Sequence, residues 1–152
     1  MPTLLIVHYT PSPACQDLLD AARAGATDPA IERVDVVVRA ALAATASDVL
    51  AADGYLLGTP ANLGYMSGAL KHFFDQVYYP CLDATVGRPY GLYVHGNLDV
   101  DGAVLSVEKV ATGLRWTRAQ APVTVLGTPT AGDLAAVQEL GAALAAHLSV
   151  LA

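Results

Sequence analysis

The stretch "GTPANLGYMSGALKHFFD", Gly58 to Asp75, decides how the rest of the chain is read. Apolar residues run into Thr59-Pro60, glycines follow at 64 and 68, and Leu70, Phe73, Phe74 and Val77 then stand at i, i+3, i+4 and i+7. That spacing predicts one apolar helix face, with Ser67 as its N-cap. The polar segment before the helix is either a linker or a loop that holds a ligand against a strand end. Gly64 and Gly68 permit positive φ or the close approach of another group. Asn62 and Tyr65 add a polar and a stacking side chain.

The neighbouring segments choose between the two. "TLLIVHYT" (Thr3–Thr10) is a short apolar run rich in β-branched residues and predicts a buried strand. Ser12 and Pro13 then open a helix that Gly25 can close. Glu32–Ala41 carries a second strand, Ser47 or Asp48 can cap a short helix, and Asp53–Pro60 is a third strand. After the helix from Ser67 come a fourth strand (Arg88–Gly96), a helix marked by Val104, Val107, Ala111 and Leu114, and a fifth strand (Ala121–Pro129). Val137, Leu140, Leu144 and Leu148 mark a last helix, with Asp133 near its start.

A strand–helix unit repeated five times predicts an α/β fold. Its five parallel strands form a doubly wound sheet in the order 2-1-3-4-5, with helices on both faces. In such a sheet ligands bind beyond the carboxyl ends of the strands, where the order reverses. The loops that meet there are Tyr9–Cys15, Thr59–Ser67 and Gly96–Gly102. The opening stretch therefore reads as a ligand loop.

Composition agrees with a sheet buried on both faces. Of 152 residues, 54% are hydrophobic and 14% charged, and the mean hydropathy is +0.43. No uncharged apolar run reaches the roughly 18 residues a membrane span needs. The length suits one domain, expected over residues 1–152. The net charge of −6, with no basic run, argues against nucleic acid as the main partner. Met1 leads straight into a strand with no signal-like segment, so a cytoplasmic protein is expected. Cys15 and Cys81 form no C-x-x-C pair, and no His, Asp or Glu set has metal-ligand spacing.

The segment Ala52–Asp75 resembles the flavodoxin-like flavoproteins, and more closely the branch of NAD(P)H-dependent FMN reductases and quinone reductases. The likeness rests on an acidic residue opening strand 3, then Gly-Thr-Pro, Gly-x-Met-Ser-Gly-x-Leu-Lys and Phe-Phe-Asp. It implies an FMN whose phosphate lies on the loop holding Tyr9, Thr10, Ser12, Ala14 and Cys15. Its ring would lie against Thr59, Pro60, Ala61, Asn62, Leu63, Gly64, Tyr65, His95, Gly96 and Asn97. It also implies NAD(P)H as hydride donor, a small acceptor such as a quinone, and a homodimer or homotetramer. Where the family often has an Asn-Thr donor pair, this chain reads Ala14-Cys15.

Other readings stay open. A flavodoxin-type electron carrier, and a binding module that has lost FMN, fit the same elements. A phosphoacceptor receiver does not, because His8-Tyr9 and Gly58-Thr59-Pro60 stand where it needs carboxylates. Ser12 reads as a cap before it reads as a phosphate donor, and His95 as a loop hydrogen-bonder before a proton donor. Cys15 reads as a packed residue, although a helix N-terminus can lower a thiol pKa. No side-chain acid or base is required by flavin chemistry, so none is assigned.

Overall fold

A computed structural model describes residues 1–152. The chain runs β1 (Thr3–His8), α1 (Pro13–Ala26), β2 (Asp35–Ala40), α2 (Ala46–Ala51), β3 (Gly54–Asn62), β4 (Tyr65–Met66) and α3 (Gly68–Cys81). It continues with β5 (Pro89–Gly96), α4 (Asp101–Gly113), β6 (Thr117–Arg118), β7 (Val123–Leu126) and α5 (Ala131–Val150). The central sheet is parallel in the order β2-β1-β3-β5, and both β6 and β7 pair with β5 on its outer side. The expected order 2-1-3-4-5 is therefore present, with its fifth position shared by two short strands.

The strands that the sequence marks as continuously apolar are those buried on both faces, as parallel packing requires. Leu5, Val7, Tyr55, Leu57, Leu92 and Val94 face a core completed by α2, α3 and α4. Within it Tyr55 stacks on Trp116 at 4.1 Å between ring centroids, and the Trp116 indole donates to Thr85 Oγ1 at 2.8 Å. Leu4, Ile6, Leu56 and Tyr93 face the other way, against Leu18 and Leu19 of α1 and Leu140 and Leu144 of α5. The four residues marking the apolar face of α3 are all buried. No helix is long and apolar enough to cross a membrane.

Several local expectations are corrected. The N-cap of α2 is Thr45, and Asp48 is the third helical residue of a capping box rather than the cap. The fifth strand is shorter than 121–129: β7 spans Val123–Leu126, and a separate two-residue strand, β6, pairs with β5 ahead of it. Gly25 does not close α1, which runs on to Ala26.

Gly25 serves packing instead. A Cβ there would sit 1.8 Å from the Gln138 carbonyl oxygen of α5, and one on Gly141 would sit 2.3 Å from the Ala22 carbonyl oxygen. The two helices approach backbone to backbone at these glycines, so neither side can yield by a rotamer change. Gly141→Ala is expected to destabilise the fold by about 2 kcal/mol, the usual size for overpacking a tight core. Urea unfolding would show it as a lowered midpoint, and an unchanged midpoint would refute the close-contact account.

Candidate functional site

β3 outruns its neighbours. Expected to end at Pro60, it continues to Asn62 and turns back through Leu63 and Gly64 into β4, with Ala61 opposite Met66 and Asn62 opposite Tyr65. Thr59–Ser67 is thus a β-hairpin with a two-residue turn and not an irregular loop. Both turn residues have positive φ, 52° at Leu63 and 73° at Gly64, as twist-matched hairpin turns require. Leu63 adopts that conformation without glycine's freedom, at a cost of roughly 1 kcal/mol. Gly68, by contrast, is an ordinary helical residue.

The hairpin is fastened on two sides. Thr59 Oγ1 donates to the Pro60 carbonyl at 2.8 Å and accepts from the Ser67 amide at 3.0 Å. Ser67 Oγ in turn accepts from the Leu70 amide, capping α3 as expected. Across the gap to α4, the Met66 amide donates to Ser106 Oγ at 3.1 Å. Gly102 lets α4 reach the turn, since a Cβ there would meet the Gly64 carbonyl oxygen at 2.0 Å. The sequence assigned Gly102 to a loop; it lies in the first turn of α4.

At the carboxyl ends of β1, β3 and β5 this frame leaves a cleft of about 380 Å³. Ser12, Ala14, Pro60, Ala61, Asn62, His95, Gly96 and Asn97 line it, all anticipated from the sequence. Tyr9, Thr10, Cys15, Thr59, Leu63, Gly64 and Tyr65 do not. Cys15 and Thr59 are buried, and Leu63 stands fully exposed at the hairpin tip. Pro11, Pro13 and Gly127 also line the cleft and were not foreseen. The first two lay inside an anticipated loop without a side-chain reason to name them. Gly127 follows β7, on the side of the sheet whose strand boundaries were misread.

The loop from β1 to α1 has the features of an anion cradle. The amides of Thr10, Ser12 and Ala14 have no partner within the molecule, whereas Tyr9 N–H donates to the Gly58 carbonyl and Cys15 N–H to Ser12 Oγ. Pro11 and Pro13 supply no N–H at all. Ser12 is therefore the helix cap that the sequence suggested, and its own hydroxyl hydrogen is still free to donate. Three amides and one hydroxyl, at the positive end of the α1 dipole, suit a phosphate in the absence of any Lys or Arg.

Burial decides the titrating groups behind the loop. The Cys15 thiol is pushed up by desolvation, with only partial relief from the Ser12 hydroxyl, so the helix end does not activate it. Tyr93 is raised first by burial, with smaller additions from Cys15 and Asp20. Its ring fits only because residue 58 is glycine, where a Cβ would lie 2.1 Å from the ring. His95 Nε2 bonds the Gly127 carbonyl at 2.8 Å, tying the end of β5 to the loop after β7.

His8 is lowered by burial first and by the Arg23 charge second, and its Nδ1 lies 2.7 Å from Thr10 Oγ1. With the imidazole neutral, Thr10 either gives its hydroxyl hydrogen to His8 or receives one from it, and only in the second case is its own hydrogen left for a ligand. The linkage has a definite sign. An unfolded chain protonates His8 near pH 6.5, while the folded one resists until lower pH, so stability falls as the solution is acidified through that window. Comparing urea unfolding at about pH 7.5 and 5.5, the loss should be smaller in His8→Asn. Equal losses in the two proteins would contradict it.

No protein-family model matches the chain. A flavodoxin of Aquifex aeolicus is 32% identical over 77 residues, which is 51% of this chain and 40% of that protein. The chain thus matches well under two thirds of that relative's length. Among solved structures, the flavodoxin, WrbA-like protein from Agrobacterium tumefaciens superposes with a TM-score of 0.79 at 16% identity, covering 99% of both chains. A flavodoxin from the domain Archaea gives a TM-score of 0.81 at 17% identity, covering 97% of this chain and 99% of that one. With the sheet order and the position of the cleft, these likenesses establish that the chain has the flavodoxin-like fold.

Proposed function

We propose that the protein binds FMN in this cleft and works as an oxidoreductase, taking hydride from NADH or NADPH and passing electrons to a small acceptor such as a quinone. The observation that carries the reading is the cleft itself. It lies at the switch point of the sheet, has one end built from unpartnered amides, and is walled by uncharged residues. Its volume lies within the range usual for small-ligand and cofactor sites.

The donor set fits the cofactor. Ser12, Ala14 and the amides of Thr10 and Ser12 would hold the phosphate. Pro60, Ala61, Asn62, His95, Gly96 and Asn97 would border the ring, chiefly through backbone groups. When bound, the flavin supplies the two-electron chemistry, and the protein supplies binding, orientation and electrostatics. Pro60 and Ala61 present a rigid wall, because the hairpin behind them is locked by Thr59 and Ser106. Cys15 and Tyr93 lie outside the cleft wall and act as packing, and Thr59 acts from behind the wall through its two hydrogen bonds. No acid or base besides His95 lines the cleft.

A flavodoxin-type electron carrier is the second reading. The match to the Aquifex flavodoxin favours it. Both readings require FMN, and its binding is read from the shift of the flavin absorption bands on mixing with purified protein. No binding at micromolar FMN would sink both. With FMN bound, NADH or NADPH under nitrogen should bleach the flavin rapidly for a reductase and leave it oxidised for a carrier.

The phosphate placement has its own test. Ala14→Asn puts a side-chain amide at the mouth of the anion loop while leaving the Ser12 cap intact. It should tighten FMN by about tenfold, the effect of one added hydrogen bond to a charged group, and leave riboflavin, which has no phosphate, unchanged. Equal effects on the two flavins would move the phosphate elsewhere.

A further inference from the structure

His95 is the only ionisable residue among those lining the cleft, and one of its two ring nitrogens is already committed. The partner of Nε2, at 2.8 Å, is the Gly127 carbonyl oxygen, which can only accept. Nε2 must therefore carry a hydrogen in every charge state of the ring, and the proton that comes and goes belongs to Nδ1. Nδ1 has no partner in the molecule. Nor is it sealed in, since Tyr93 OH is the sole buried side-chain polar atom left unpaired. The residue is 8% exposed and borders the cleft.

We infer that His95 makes ligand binding proton-linked: with Nδ1 protonated, the ring donates a charged hydrogen bond to an acceptor edge of a planar heterocycle held in the cleft. With Nδ1 unprotonated, the same atom is a lone pair that an acceptor edge avoids. This deepens the FMN reading and rests on it, because the carbonyl oxygens and the two unprotonated ring nitrogens of an oxidised flavin, its one ring N–H aside, are such acceptors.

On the segments that meet at the carboxyl ends of β1, β3, β5 and β7, the ionisable groups besides His8 and His95 are Tyr9, Cys15, Asp17 and Asp20, Tyr65, Tyr93, Asp99 and Asp101, and Asp133. Burial keeps the Cys15 thiol and the Tyr93 phenol protonated. Asp99 accepts from the Asp101 amide and Asp133 from the Thr130 amide, so both are engaged in local caps. His8, the other imidazole on this side of the sheet, is bonded to Thr10 and does not line the cleft.

Riboflavin is the probe, because it has the ring without a phosphate that would titrate in the same range. Its dissociation constant, read by quenching of flavin fluorescence, should be about tenfold lower at roughly pH 5.5 than at pH 8 for the wild-type protein, the worth of a charge-assisted bond. In His95→Gln the two values should agree, since an amide donates at either pH, and in His8→Asn the pH effect should persist. Calorimetry in buffers of differing ionisation enthalpy should show proton uptake on riboflavin binding by the wild type and by His8→Asn. This second readout stands even if His95→Gln fails to fold. Binding of riboflavin without pH effect or proton uptake, or a pH effect surviving in His95→Gln, would overturn the inference while leaving the FMN reading intact. Failure of both riboflavin and FMN to bind at either pH would overturn the FMN reading and the inference together.

Discussion

The buried hydroxyl of Thr59 holds the site in shape. β3 reaches two residues past the last pairing of β3 with β5, and a strand end that projects over a sheet must turn its backbone groups back on something. Thr59 Oγ1 donates to one backbone carbonyl and accepts from one backbone amide, on either side of the hairpin. With Ser106 gripping Met66 from α4 and Gly102 admitting the turn, the projecting segment becomes a fixed wall. A buried polar network of this kind is effective only when every member is satisfied, and here the members are. The cleft keeps its shape because its wall is bonded to two helices.

The electrostatics of the cleft follow from where the cations are spent. Arg88 Nη1 donates to the carbonyls of Val49, Leu50 and Ala52 at the end of α2, near the amino ends of the strands. Arg39, Lys71, Arg115 and Arg118 are paired with carboxylates on the surface. None lines the cleft. An anion held there must rely on free amides, the Ser12 hydroxyl and the helix dipole, each a fixed partial charge and none titratable. Against such a background one imidazole changes the local field more than it would among other charges, and that contrast gives His95 its weight.

Much of this was legible in the residues. The period-3.6 face of α3, the Ser12-Pro13 start of α1 and the apolar runs of β1 and β5 each depend on local spacing, which the sequence displays directly. Eight of the eleven residues that line the cleft were named because sheet topology alone says which loops converge. What escaped depended on contacts between distant segments. Gly25 and Gly141 look like helix breakers until α1 and α5 are seen to touch at their backbones. The hairpin at Leu63-Gly64 was hidden because a leucine at positive φ is a poor turn signal. Cys15, by contrast, reads as a packed residue from the sequence and is one, since burial outweighs the dipole of the helix end.

The prolines of the first loop show how the cradle departs from a donor-rich one. Each removes an N–H that could have faced a phosphate, yet each also fixes a φ angle and so lowers the entropy lost on ordering the loop. The three remaining free amides are held at alternate residues, 10, 12 and 14, with a proline between each pair. A loop of this design has few donors and little freedom to misplace them. Its affinity for an anion then depends more on the geometry of those donors than on their number. A single added donor at Ala14, on an already ordered backbone, should accordingly act close to its full strength.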